Sequence, residues 1–297
     1  MKRNKGDNVL VTKKYAKRSA FGEMLNKLFK HKGAMVGLII FGLMLLCFIG
    51  SLLFISYDMI TIGAVSDRFT PPGWSFPFGT DNMGRNMMWR IFYGSRYSLA
   101  LGFGGSAIGV FFGVGLGAIA GYYGGVRESL IMRFADVLSS IPAMLFGIVI
   151  MSTLGSNLRN LIYTVAIAST PSYIRITRAS ILSLKNQEFV EAAHAIGLPN
   201  PRIILTQILP NGLSPIIVSF TMNFGMLILA ASGLSFLGFG VTAPRPEWGA
   251  LIAGGRKYMQ TSPYLLAFPG LFIMLIVLAF NLIGDGLRDA LDPKQRR

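Results

Sequence analysis

The chain has 297 residues, of which 52% are hydrophobic and only 14% carry a charge. A soluble globular domain carries about 25% charged residues, so this composition indicates a membrane protein and excludes a disordered chain. The 28 basic residues exceed the 13 acidic ones and give a net charge of +15. A basic nucleic-acid-binding protein would carry more charged residues overall, so we expect no nucleic acid partner. The single cysteine, Cys47, excludes a disulfide framework.

Six stretches without Asp, Glu, Lys or Arg predict where the chain crosses the lipid bilayer. A charge at the centre of a spanning helix costs about 2.5–3.5 kcal/mol, and about 20 apolar residues suffice to span. The fourth stretch is short, so we expect one helix over 158–184 that leaves the membrane near Arg175. The sequence therefore predicts an all-α integral membrane protein with six transmembrane helices. The stretches are 33–57, 97–126, 137–158, 160–174, 203–244 and 258–284.

The distribution of Lys and Arg predicts that both termini are cytoplasmic. With that orientation, the inside segments hold 20 of the 28 basic residues, as cytoplasmic loops normally do. The apolar run after Lys32 is too long for the core of a cleaved signal peptide, so we expect it to remain as the first span. The predicted divisions are a basic N-terminal segment 1–32, a first helix 33–57, an extracytoplasmic loop 58–96, a five-helix core 97–284 and a cytoplasmic tail 285–297.

Glycines recur at every fourth position in the second predicted span. Helices in lipid gain no hydrophobic drive toward one another, so close approach across small residues is a main source of their association. The stripe predicts that this helix packs against protein, and its spacing does not match a dinucleotide-binding loop. The glycines are Gly105, Gly109, Gly113, Gly117 and Gly121.

Prolines fall inside or beside the other predicted spans. Each removes a backbone hydrogen bond and permits a kink, as the moving helices of transporters often require. They are Pro142, Pro171, Pro210, Pro215 and Pro269.

The predicted spans carry almost no ionisable side chain, and Asp136 is interpreted as interfacial. A carrier driven by protons or sodium normally needs charged relays in the membrane, so an ion gradient is a poor energy source here. The sequence also lacks a phosphate-binding loop, an HExxH motif and any Cys/His cluster with metal-ligand spacing. We therefore expect a transport pathway that is not an enzyme, binds no cofactor or metal, and depends on a separate motor.

The predicted inside segment 185–210 contains a short amphipathic helix. Gly197 is placed to end the helix in a left-handed cap, and Pro199 prevents its continuation. A charged helix with a small apolar face can dock into a groove of a soluble partner. That face contains Phe189, Ala192, Ala193 and Ile196, which are spaced at i, i+3, i+4 and i+7.

Glu191-Ala192-Ala193, with Gly197 and a later Leu209-Pro210, resembles the Glu-Ala-Ala loop of membrane subunits of bacterial binding-protein-dependent ABC importers. In that family the segment is the coupling helix that lies in a cleft of the ATPase. The resemblance implies this role for the motif residues, and we assign the apolar neighbours Phe189 and Ile196 to the same contact.

Three further stretches are similar to the C-type permease subunit of the peptide/nickel branch of that family. In the outer one, Asp81, Arg85 and Arg96 are expected to pair, and Gly84 permits a tight turn. In the last, Asp285, Arg288 and Asp289 have helical spacing for local pairs. The stretches are Phe78-Gly79-Thr80-Asp81 with Gly84-Arg85 and Tyr93-Gly94-Ser95-Arg96, then Pro246-Glu247-Trp248-Gly249, and then the residues 281–293.

The resemblance implies a permease with the type I ABC importer fold in the cytoplasmic membrane of a bacterium. Its implied partners are a second, homologous permease subunit, two ATPase subunits that use ATP and Mg, and an extracytoplasmic solute-binding protein. Peptides are the expected substrates, and nickel or a metal chelate is the alternative. A stand-alone channel or gradient-driven carrier is the competing class, and the residues along the substrate path are not identified by the sequence.

Overall fold

The computed structural model describes residues 20–291, which form helices joined by loops without any β-strand. This confirms the prediction of an all-α protein for the described part. The predicted basic segment before residue 20 and the end of the tail lie outside it. In chain order the helices are α1 (Ala20–Lys30), α2 (Lys32–Phe54), α3 (Tyr57–Thr61), α4 (Met87–Tyr123), α5 (Gly125–Ser140), α6 (Ala143–Leu154), α7 (Leu158–Leu184), α8 (Glu188–Ala195), α9 (Asn200–Ile203), α10 (Leu209–Asn211), α11 (Leu213–Leu234), α12 (Trp248–Gly255) and α13 (Tyr264–Leu291).

Four of the helices within residues 20–291 are long and apolar enough to cross a membrane, namely α2, α4, α11 with its π-helical extension to Phe239, and α13. A fifth crossing results if α5 and α6 are counted together as one broken span. The chain is therefore a multi-pass membrane protein. Helix α7 has the bounds predicted for the fourth span, but it carries Arg159, Arg175 and Arg178 and does not meet the same criterion.

The third predicted span, 137–158, is not one straight helix. Helices α5 and α6 are bent by 87° where they meet, and Pro142 occupies the break. Proline removes a backbone donor and disfavours helical geometry in the residue before it, and Ile141 is accordingly extended. With 12 residues, α6 is about 18 Å long at 1.5 Å per residue, shorter than the hydrocarbon core.

Helix α4 begins at Met87, well before the predicted start of the second span at Tyr97. Asn86 caps it by accepting a hydrogen bond from the backbone N–H of Met88 at 2.9 Å. The charges that made the sequence look like a loop, Arg90 and Arg96, are both bonded within the protein. Helix α4 therefore extends through the predicted outer loop region before it enters the apolar part.

The core lies where α4, α11, α12 and α13 meet. Trp248, at the start of α12, is fully buried, and its indole N–H donates to the backbone oxygen of Ile91 at 2.9 Å. The rings of Phe224 and Phe280 stack with centroids 3.8 Å apart, which joins α11 to α13. Helix α13 continues to Leu291, so the first part of the predicted tail is helical. There Asp289 faces His31 at 3.3 Å, and no ion pair links Arg288 to Asp285 or Asp289 within the described chain.

Candidate functional site

Helix α8 is held at its C-terminal end by a complete glycine cap. Gly197 has a φ of +78°, which an L side chain rarely adopts. The N–H of Gly197 donates to the oxygen of His194 at 2.9 Å, and that of Leu198 donates to Ala193 at 3.1 Å. This pair of bonds defines the Schellman motif, so the chain turns away from α8 in one fixed direction.

The face of α8 that packs on the protein differs from the apolar face expected from spacing. Val190 is 1% and Ala193 5% exposed, and the half-buried Phe189 joins them. Ala192 is exposed, and Ile196 is 76% exposed because it follows the last helical turn and lies in the cap. The residues of the predicted apolar face are therefore divided between an inward and an outward face of α8. The outward face contains Glu188, Glu191, Ala192 and Ala195.

Side chains tie α8 to the last turn of α4. The hydroxyl of Tyr122 donates to the Oδ1 atom of Asn200 at 2.9 Å and lies 3.2 Å from the Nε2 atom of His194. Lys185, just before α8, donates through Nζ to the backbone oxygen of Gly121 at 3.3 Å. These contacts hold α8 against the Tyr123 end of α4.

Two ion pairs connect α5 to α7 near the same end. The guanidinium Nε of Arg178 donates to Glu128 at 2.6 Å, and an NH2 of Arg175 donates to Asp136 at 2.9 Å. The side chain of Asp136 is 64% exposed, which fits its interpretation as an interfacial residue. The partly buried pair of Arg178 contributes more than the exposed pair of Arg175, because solvent screens exposed pairs to about 0–1 kcal/mol.

The five glycines of α4 all face α7. A β-carbon added to Gly117 would lie 2.6 Å from the oxygen of Ile174, and one added to Gly121 would lie 2.8 Å from the Cβ of Ile181. Because the offset between facing residues is constant, the two helices run parallel in a fixed register. The facing pairs are Gly105 with Val165, Gly109 with Ser169, Gly113 with Tyr173, Gly117 with Thr177, and Gly121 with Ile181.

A groove with a mainly apolar lining runs between α7, α11 and α13, and we call it the polar groove after the hydroxyl and amide groups that interrupt this lining. Its larger part is a cavity of about 920 Å³. A second cavity of about 390 Å³, which shares Asn223 and Met226 with the first, continues it toward α6. The guanidinium of Arg288 also lines the larger cavity. The neutral polar groups of the lining can hydrogen-bond a solute but cannot relay protons. They include Ser180, Ser183, Asn211, Ser219, Asn223 and Asn281.

Charged residues also converge at the Met87 end of α4. Asp81, Arg85 and Arg90 form what we call the Asp81 cluster, in which the Nε of Arg85 donates to the Oδ2 atom of Asp81 at 2.8 Å and Arg90 bonds to the same oxygen. The Oδ1 atom accepts the backbone N–H groups of Met83 at 2.8 Å and Arg85 at 3.0 Å. Gly84, with φ of +73°, lies so close to Ala64 that no β-carbon fits.

Arg96 does not join the cluster as the sequence led us to expect. It reaches the end of α2, where its guanidinium donates to the Oγ atom of Ser51 at 2.9 Å and to the backbone oxygen of Ile55 at 3.1 Å. A cation at a helix C-terminus is favourable because carbonyls there lack partners. Arg90, 5% exposed, takes its place beside Asp81. The sequence signal for Arg90 was its position at i+9 from Asp81, which does not by itself indicate contact.

The motifs Tyr93-Gly94-Ser95-Arg96 and Pro246-Glu247-Trp248-Gly249 pack against each other. The backbone of Gly94 touches the oxygen of Pro246, where a β-carbon would clash. Glu247 caps α12 by accepting the N–H groups of Gly249 and Ala250, each at 2.9 Å. Burial raises the pKa of the Glu247 carboxyl above its usual range, and these donors oppose that shift.

No group of three or more His, Cys, Asp or Glu side chains within residues 20–291 could hold a metal ion.

The two ends of α4 carry different arrangements. One is a buried ionic cluster, and the other is a rigid, outward-facing helix beside a polar groove. Together with the multi-pass helical fold, this gives the described chain a groove among its long helices and a separate exposed helix, α8.

The chain belongs to the family described as the inner membrane component of binding-protein-dependent transport systems, whose model matches residues 113–297. Residues 19–72 match the N-terminal transmembrane domain of oligopeptide transport permease C.

Relatives with close sequence similarity are permeases. The chain is 44% identical to the dipeptide transport system permease protein DppC of Alkalihalophilus pseudofirmus, over 95% of this chain and 92% of the relative. It is 41% identical to the oligopeptide permease OppC of Haemophilus influenzae, over 94% and 90% of the two chains. The glutathione permease GsiD of Escherichia coli is 46% identical over 73% and 72%.

The fold is similar to that of the MetNI methionine ABC transporter in an inward-facing conformation. The TM-score is 0.58 at 17% identity, and the match covers 69% of this chain and 98% of that one. The likeness concerns the fold alone, and it identifies the type I ABC importer architecture.

Proposed function

We propose that the chain is one of two permease subunits of an ATP-driven importer of di- or oligopeptides in the cytoplasmic membrane of a bacterium. The relatives named for dipeptide, oligopeptide and glutathione transport support a peptidic substrate. We also propose six transmembrane crossings with both termini in the cytoplasm. Helix α7 is one of these crossings, although it carries arginines. An extracytoplasmic solute-binding protein would deliver the peptide.

The observation that carries the proposal is the exposed face of α8. This helix is capped, anchored to α4 through Tyr122, and presents Glu191 and Ala192 to solvent. A small face flanked by a carboxylate fits into a cleft of a soluble protein, and we assign that cleft to an ATPase subunit. ATP and Mg act in the ATPase subunits, and this chain contributes the contact that moves with them.

The polar groove is the proposed substrate path. It is open on one side of the chain, and a second homologous permease subunit would complete its wall. Its hydroxyl and amide groups, such as Ser180, Asn223 and Asn281, suit the backbone amides of a peptide. Closure of the ATPases would push α8, and the fixed register between α4 and α7 would carry that motion to the groove. The transporter would thus alternate between two states.

Charge reversal on α8 tests this function. In Glu191→Lys, a cation replaces the carboxylate on the exposed face, so we expect loss of ATPase subunits from the purified complex and loss of ATP-dependent peptide uptake in proteoliposomes. Asp58→Lys is the matched control, because it makes the same charge change on an exposed residue of α3, far from α8. Normal uptake by Glu191→Lys at equal membrane levels would contradict the coupling role.

A stand-alone channel predicts a different result from reconstitution. Vesicles that contain only this chain would then take up solute without ATP. We expect no uptake until the second permease, the ATPases and the binding protein are all present. Uptake by the single chain would overturn the proposed function.

A further inference from the structure

A cavity of about 310 Å³ adjoins the Asp81 cluster, and we call it the Asp81 cavity. Its walls come from the loop before α4, from the loop that follows α11, and from α12 with the start of α13. Arg90 on its wall lies about 48 Å along α4 from Tyr122 at a rise of 1.5 Å per residue. The cavity is therefore far from α8, and it shares no lining residue with the polar groove.

The charges on the cavity wall do not balance. Three arginines, Arg85, Arg90 and Arg245, line it together with a single carboxylate, that of Asp81. The two oxygens of Asp81 already accept four hydrogen bonds, two from backbone N–H groups and two from Arg85 and Arg90, and an NH2 of Arg85 also lies 2.7 Å from the Oδ2 atom. Asp81 therefore has no acceptor capacity left for further donors.

Arg90 and Arg245 still offer hydrogen-bond donors on the wall of the Asp81 cavity. Arg90 is 5% exposed, and its Nε atom has no hydrogen-bond partner within the described chain. Arg245 is exposed toward the cavity mouth and forms no ion pair with any residue between 20 and 291. A buried guanidinium N–H without an acceptor is costly, and a planar two-oxygen anion matches the fork of a guanidinium.

We propose that the Asp81 cavity binds a carboxylate group between Arg90 and Arg245. The volume exceeds what a carboxylate alone requires and falls at the lower end of the range for small-molecule sites, so part of an organic molecule enters with it. On the proposed function, on which this assignment of the source rests, the carboxylate is the free C-terminus of an incoming peptide. A free small organic acid is the other source of the same chemistry.

Ligand-dependent thermal stability of the purified importer complex tests the site. A ligand that binds only the folded protein raises the unfolding midpoint. We expect sodium acetate to raise it more than sodium chloride at equal concentration. We also expect dialanine to raise it more than dialanine amide, which lacks the carboxylate. A response to acetate but not to dialanine would assign the site to free acids, and equal responses to acetate and chloride would overturn the proposal.

Substitutions at Arg245 and Lys257 test whether acetate binds in the Asp81 cavity. Arg245→Gln removes a guanidinium that no residue pairs with, so the unliganded protein should unfold normally while the acetate affinity falls about tenfold. Lys257→Gln makes the same charge change on an exposed residue outside the cavity and should bind as the parent does. Arg245→Lys keeps the charge without the fork and should lie between them. Unchanged affinity in Arg245→Gln would exclude this cavity, and continued peptide uptake would show that the importer function stands without it.

Discussion

Charged side chains turn inward at the Met87 end of α4 and outward at its Tyr123 end. Asp81 and Arg90 are 6% and 5% exposed and are hydrogen-bonded to each other inside the protein. Glu188 and Glu191 of α8, at the other end, are exposed. The same helix thus joins a region whose charges are mostly buried and paired to a region whose charges are exposed.

Substitutions at the two ends should therefore differ in effect, harming the fold at the Met87 end and only the assembly at the Tyr123 end. Removing one member of a buried ionic cluster leaves an uncompensated charge, so the folded protein loses stability. An exposed charge contributes little to the stability of the fold, so its loss affects only the binding of a partner.

Asp81→Asn should destabilise the chain most. Its Oδ1 atom can still accept the N–H groups of Met83 and Arg85, so the change isolates the loss of charge beside Arg90. We expect a cost of about 3–5 kcal/mol, as for other broken buried ion pairs. The measurement is the thermal unfolding midpoint of the purified complex.

The control for Asp81→Asn is Asp58→Asn, the same substitution at an exposed position in α3. We expect its unfolding midpoint to equal that of the parent. If the two variants unfold at the same temperature, the Asp81 cluster does not stabilise the Met87 end of α4.

Gly117→Leu should cause the next largest loss of stability, because it separates α4 from α7 between the Met87 and Tyr123 ends of α4. Its side chain would meet the backbone oxygen of Ile174 at 2.6 Å, and overpacking costs about 1–3 kcal/mol. We expect a lower membrane level and a lower unfolding midpoint.

Gly115→Leu is the matched control for Gly117→Leu, because nothing lies within 4 Å of a β-carbon at Gly115 in the same helix. Its higher helix propensity should leave stability unchanged or slightly improved. Equal loss in both variants would mean that the glycine register does not hold α4 to α7.

Local sequence signals predict much of the helical framework. The charge-free runs and the helical pattern indicate α2, α7 and α13, because burial in lipid excludes charge wherever it occurs. The fourfold glycine spacing indicates which face of α4 can approach another helix, but the partner α7 is known only from the structure. The cap at Gly197 follows from local chemistry alone.

The remaining features depend on contacts between distant parts of the chain. Arg90 and Arg96 both look like loop charges, and their different partners, Asp81 and the end of α2, are set by how the loop before α4 folds. The faces of α8 divide as they do because Val190 packs on the π-helical turn Ile204–Ile208 and its neighbours. The angle at Pro142 is likewise a tertiary feature, since proline permits a kink but does not fix its size.

Gly197→Ala should have the smallest effect on stability and a selective effect on coupling. A left-handed conformation costs an L residue about 1–2 kcal/mol, which loosens the cap of α8 without disturbing the core. We therefore expect the unfolding midpoint to fall by less than in Gly117→Leu, with ATP-dependent uptake reduced several-fold. Gly155→Ala is the matched control, because Gly155 has a φ of +87°, equally open surroundings, and a position at the end of α6 far from α8. If both variants reduce uptake equally, the rigidity of the α8 cap is not what transmits the motion, and the contrast between the two ends of α4 would have to rest on the exposed charges alone.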